Sequence, residues 1–110
     1  MLTSTTRTQD DRVICSLAGE LDSFTAPSLH GTFARAGTPS ELVIDMAGVT
    51  FVDSAGIAAL AAGARNLRAA GTGVVVSVPA AHMRRLLRSI GLDRLVPVVD
   101  GLVAPGNPSG

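Results

Sequence analysis

Apolar residues along this chain change their spacing several times, and each change marks an element. Over residues 12–18, Val13, Cys15 and Leu17 alternate with Ile14 and Ser16, as in a strand with one better-buried face. Gly19-Glu20-Leu21-Asp22 reads as its exit loop. Thr25 and Pro27 mark a helix start, because proline is tolerated in the first turn. Ala26, Leu29, Phe33 and Ala36 then recur at helical spacing until Gly37 ends the helix.

Residues 42–44 are wholly apolar, the signature of a short strand in a sheet covered on its faces. A loop over residues 46–53 leads to a second helix at about residues 55–70. There Ile57, Leu60, Ala64 and Leu67 share one face, and Arg65 and Arg68 turn outward. Gly71-Thr72-Gly73 stops it, and the β-branched run 74–78 is the clearest strand in the chain. Pro79 is expected to open a third helix with Met83, Leu86, Leu87 and Ile90 inward and Gly91 as its stop. Residues 95–99 read as a last strand.

Three segments follow from this pattern. Residues 1–11 form an edge strand or an arm, 12–100 the folded domain, and 101–110 a Gly/Pro/Ser-rich tail expected to be disordered. Strands alternating with helices imply an α/β fold: a single domain with a four- to five-stranded mixed, mostly parallel sheet and three to four helices. In such sheets functional groups collect beyond the carboxyl ends of the parallel strands.

Composition narrows the function classes. With 110 residues and 46% apolar content, one core forms without disulfides or metal. No apolar run approaches the roughly 20 residues of a membrane span, and residues 1–7 lack a signal-peptide core. The single cysteine, Cys15, lies in a strand pattern and fits a reduced, cytoplasmic setting as a core filler. Nine basic residues, all arginine, balance nine acidic ones. Neutrality speaks against nucleic acid, and three phenylalanines with no other aromatic give no platform for stacked bases. The cluster Arg84, Arg85 and Arg88 reads as a solvated helix face.

Catalytic signatures are missing from the sequence. No Gly-x-Ser-x-Gly elbow accompanies His30 and His82, no lysine exists for a phosphate-binding loop or an aspartyl-phosphate receiver, and no Cys/His cluster has metal-ligand spacing. Neither catalysis nor a cofactor is expected of this chain.

The distinctive stretch is Phe51-Val52-Asp53-Ser54-Ala55-Gly56. Its position puts Ser54 at the N-cap of the second helix, on a loop leaving a buried strand and beside a carboxylate. A hydroxyl there can simply cap, worth about 1 kcal/mol, or it can accept a phosphate without unfolding anything. Asp53 fits a turn or a contact role equally. Asp22 and Glu20 fit a solvated turn as well, and Asp45 is placed to bond loop amides.

Gly19-Glu20-Leu21-Asp22 with Thr25-Ala26, then Leu42-Val43-Ile44-Asp45, then Phe51-Val52-Asp53-Ser54-Ala55-Gly56-Ile57, with Gly71, the strand 74–78 and Gly91-Leu92, resemble the STAS domain family. Within it the chain resembles the bacterial anti-sigma factor antagonists, over residues 12–99. The resemblance implies that Ser54 is phosphorylated by a partner anti-sigma factor that is also a serine kinase. The unphosphorylated form would bind that kinase and free a sigma factor, and a separate phosphatase would restore it. ATP and Mg would belong to the kinase. Asp22, Ser23, Asp53, Ser54, Ala55 and Gly56 would form the binding surface of a chain that is monomeric when free. Some relatives carry a second hydroxyl after the serine; here Ala55 stands there, leaving Ser54 as the one acceptor in the motif. The resemblance also allows an interaction module in another signalling assembly that need not be phosphorylated.

Overall fold

The structure, a computed structural model, describes residues 1–102. The elements are β1 (Leu2–Gln9), β2 (Arg12–Leu21), α1 (Pro27–Ala36), β3 (Glu41–Val52), α2 (Ser54–Ala69), β4 (Gly73–Ser77), α3 (Ala81–Ile90), α4 (Leu92–Leu95) and β5 (Val98–Val99). They build one five-stranded mixed sheet in the order β1-β2-β3-β4-β5, in which only β1 is antiparallel to its neighbour. The expected α/β architecture is therefore present, with five strands and four helices among the described residues.

Residues 1–11 contribute a paired edge strand. β1 is rich in threonine, which suits a pleated surface, and it closes on β2 with Gln9 opposite Arg12. Asp10 makes the tight turn at φ 55, a left-handed conformation that aspartate tolerates. At the other end, Gly19 has φ +107 and lies against the backbone of Met1, so no side chain fits there.

Several boundaries differ from the sequence pattern. β2 runs on through Gly19 and Glu20 to Leu21 rather than ending in a loop, and β3 absorbs the expected loop 46–53 almost entirely. The reason is pairing: register shifts between Ser16 and Ala18 and between Gly19 and Glu20 let the two strands stay bonded out to Leu21 and Val52. Pro79 precedes α3 instead of opening it, and residues 92–95 form a helical turn, leaving only Val98–Val99 as strand. Leu86 and Ile90 are 42% and 54% exposed, not inward. α3 buries Met83 and Leu87 alone, a narrower stripe than the apolar pattern implied. Of the expected tail 101–110, Gly101 and Leu102 are described and residues 103–110 lie outside the described residues.

Side chains from α1 (Leu29, Phe33), α2 (Ile57, Leu60), α3 (Met83, Leu87) and α4 (Leu92) meet Cys15, Leu17, Ile44, Met46 and Val76 in one core cluster. These strand residues occupy alternate positions, so the helices share one face of the sheet. Val43 points to the opposite face, where none of the described helices packs.

Candidate functional site

The carboxyl ends of β2 and β3 lie side by side, with Leu21 opposite Val52. That pairing brings the β2–α1 connection against the start of α2. The Asp53 amide donates to the Leu21 carbonyl at 3.2 Å, which continues the strand pairing one residue beyond Val52. Asp53 then leaves the strand at φ −121 and ψ −177 and serves as the N-cap of α2.

Both carboxylate oxygens of Asp53 are engaged. Oδ1 accepts from the Gly56 amide at 2.9 Å, and Oδ2 accepts from the Ser23 amide at 3.3 Å. One side chain thus satisfies a first-turn donor of α2 and fastens the neighbouring loop. Ser54 is therefore the first helical residue, not the cap. Its side chain is exposed, and the capping bond does not require its hydroxyl.

Asp22 organises the other half of the site. Its Oδ1 accepts from the amides of Phe24 and Thr25, each at 3.0 Å, while its own amide donates to Thr25 Oγ1 at 2.9 Å. Thr25 Oγ1 also donates to the Glu20 carbonyl at 2.8 Å. The Asp22 carboxyl is held below its ordinary value, chiefly by the Thr25 backbone hydrogen bond and further by that from Phe24. Asp22 is a turn-former whose charge remains at the site. The Glu20 carboxylate, unlike its carbonyl, takes no part in this network and pairs with the N-terminal amine of Met1 at 3.0 Å.

Of the residues singled out in the sequence, Asp22, Ser23, Asp53 and Ser54 are brought together by these bonds. Ala55 is half-buried beside them. Gly56 is buried, not presented to solvent: a Cβ there would lie 2.8 Å from the carbonyl carbon of Leu21. Its place in the motif lets α2 start hard against the end of β2. Asp45 lies within β3 and accepts from Ser16 Oγ at 3.1 Å and the Ala47 amide at 3.0 Å, with no bond to the Ser54 region. His30 and His82 sit on the separate helices α1 and α3. Among the described residues no group of His, Cys, Asp and Glu could hold a metal ion.

Two features escaped the sequence reading. Phe24 is 92% exposed, one residue from the Ser23–Asp53 bond, where a helix-start pattern gave no reason to expect an aromatic on the surface. Beside Ser54, a cavity of about 250 Å³ opens between α2 and the α3–α4 corner, lined by Ile57, Ala61, Arg65, Ile90 and Leu95. The exposure of Ile90 that departs from the helical pattern falls on this cavity. A larger one, about 460 Å³ between α1 and α2, is walled by residues such as Leu29, Phe33 and Gly63 and does not include Ser54. Around Ser54 the bonded ends of β2 and β3 and the first turn of α2 leave the serine side chain exposed.

A two-layer α/β domain with a serine on the first turn of its second helix, beside a capping aspartate, defines the class. The chain belongs to the STAS domain family, whose model described as "Mlab, STAS domain" matches residues 4–98. It is 35% identical to an anti-sigma factor antagonist from Mycobacterium paratuberculosis, covering 93% of this chain and 88% of that one with a TM-score of 0.76. The fold is shared with the Bacillus cell fate determinant SpoIIAA in its phosphorylated form, at 20% identity, 88% and 91% coverage and a TM-score of 0.65. A sulfate transporter family protein from Wolinella succinogenes has the same fold at 20% identity, 87% and 82% coverage and a TM-score of 0.76. No helix among the described residues is long and apolar enough to cross a membrane.

Proposed function

We propose that this chain is an anti-sigma factor antagonist switched by phosphorylation at Ser54. In the unphosphorylated form it binds an anti-sigma factor serine kinase and releases a sigma factor. The kinase, with its own ATP and Mg, phosphorylates Ser54 and so ends the complex, and a phosphatase reverses the modification. The chain itself catalyses nothing in this cycle.

The observation that carries this reading is the division of labour between Asp53 and Ser54. Asp53 makes the cap, so the exposed Ser54 hydroxyl can be modified without dismantling the start of α2. A phosphate on the first helical residue meets free amides and the positive end of the helix dipole, worth about 0.3–1 kcal/mol in its favour. The fold tolerates the group, and the cost falls on the interface. A phosphate brings roughly −1.5 to −2 charges. Like charges about 5 Å apart at an effective dielectric near 20 repel by about 3 kcal/mol before salt screening. Since about 2.7 kcal/mol is a hundredfold in affinity, opposing one acidic group of a partner suffices for release.

A STAS interaction module of another assembly is the competing reading, to which the shared fold of the transporter family protein lends support. The 35% identity to an antagonist over nearly the whole chain favours the first. Intact mass and peptide mapping after incubation with the cognate anti-sigma kinase and ATP decide between them. One added phosphate on Ser54 is expected; no addition, or addition elsewhere, would overturn the switch.

A further inference from the structure

α3 leaves two large aliphatic side chains in water, Leu86 and Ile90, one turn apart and so on one face of the helix. A single exposed aliphatic is ordinary on a protein surface. Ile90, however, also walls the cavity of about 250 Å³ that begins at Ser54. That cavity is a groove. It runs along α2 past Ser54, Ala58, Ala61 and Arg65, and Ile90 and Leu95 stand on its other side. Residues at these spacings share one face of a helix, and the stripe spans about 16 Å. The Arg68 guanidinium donates to the Leu95 carbonyl and ties α4 to α2, so the groove is held open before anything binds.

Its lining is apolar except at the two ends. Ser54 stands at one end. Arg65, at the other, is the one charged group that lines it, and no carboxylate does. Arg68, Arg84 and Arg88 all spend their guanidinium groups on main-chain carbonyls. Arg65 is exposed and, among the described residues, forms no side-chain hydrogen bond or ion pair. A free cation that closes an apolar groove selects an anion carried on apolar atoms. The volume lies below the roughly 300–1,000 Å³ of small-molecule sites, which fits inserted side chains rather than a free metabolite.

The geometry points to this groove as the docking site for an acidic, aliphatic segment of the anti-sigma factor kinase. The segment's carboxylate pairs with Arg65, and its aliphatic side chains lie between Ala61 and Ile90. This assignment rests on the antagonist reading and adds to it the chemistry of the partner's contact. Ser54 then stands at the mouth of the groove. A phosphate there puts negative charge and bulk where an acidic segment must enter, so docking and modification exclude each other.

Titration calorimetry of the full chain with its cognate kinase tests the groove. Arg65→Glu should weaken binding by about tenfold or more, whereas Arg65→Lys should keep most of the affinity. Ile90→Ser should also weaken it, and Arg85→Glu, on α3 outside the groove, should leave it unchanged. All three positions are exposed, so urea midpoints should match that of the wild type. A photo-cross-linking residue introduced at Ile90 should capture a kinase peptide that carries Asp or Glu beside aliphatic residues. Wild-type affinity in Arg65→Glu or Ile90→Ser, or a captured peptide without a carboxylate, would overturn the groove and leave phosphorylation of Ser54 standing. Absence of binding by the wild type would overturn the antagonist reading and the groove with it.

Discussion

Gly56 and Leu21 approach so closely that a Cβ on the glycine would stand 2.8 Å from both the carbonyl carbon and the Cγ of Leu21. This contact locks the first turn of α2 onto the end of β2. It sets where the Ser54 hydroxyl emerges, because Ser54 and Gly56 lie on the same helical turn.

Replacing that glycine tests the contact. Gly56→Ala should cost about 2–4 kcal/mol, since the clash is with backbone that cannot rotate away. Urea denaturation gives the value. A loss within about 0.5 kcal/mol, the range of an ordinary surface substitution, would show that the turn is not held this way.

The role of Asp53 divides into capping and charge. Asp53→Ala removes the bonds to Gly56 and Ser23 and should destabilise by about 1–2 kcal/mol. Asp53→Asn keeps an acceptor for the cap while losing the charge, so it should retain most of the stability. Equal losses in the two variants would assign the effect to charge instead.

Ser54→Ala should leave folding stability within about 0.5 kcal/mol, because the neighbouring aspartate supplies the cap. A loss near 1 kcal/mol would return the capping role to the serine. In binding to a kinase partner, the same variant should associate and resist release, whereas Ser54→Asp should associate poorly. Titration calorimetry separates the two, and indistinguishable affinities would remove Ser54 from the interface.

Asp22 predicts a pH dependence. Its carboxyl is held below the ordinary 3.8 by hydrogen bonds to the ionised form. A depressed folded-state value means the contribution is fully present above about pH 4 and fades as pH falls through the lowered value. The stability gap between wild type and Asp22→Asn should therefore be constant at neutral pH and shrink on acidification below that point. A gap unchanged at low pH would mean that the turn does not depend on the charge.

Much of the fold was legible because local rules and the global arrangement agree. Pro27 begins α1, Gly37 ends it, and the 3.6 spacing of Ile57, Leu60, Ala64 and Leu67 coincides with the buried stripe of α2. Legibility failed where partners far along the chain decide. Gly19 and Glu20 look like a turn in isolation, but Gly19 pairs with Leu2 of β1 and Val49 of β3, and Glu20 pairs with Phe51 of β3 and donates its amide to the Met1 carbonyl, which holds both in strand. Ile90 fits an inward stripe, yet α3 runs out over a cavity before burying it.

By itself the sequence determined the alternation of strands and helices, the single core and the motif that places an acidic residue and a serine at the start of α2. Those depend on spacing and on what each residue permits its own backbone. Tertiary structure alone decided that Asp53 caps while Ser54 stays exposed, because the capping oxygens are shared with Ser23, thirty residues earlier in the chain. It also decided that Gly56 is a packing residue and that the described helices share one sheet face, since both depend on which strands become neighbours.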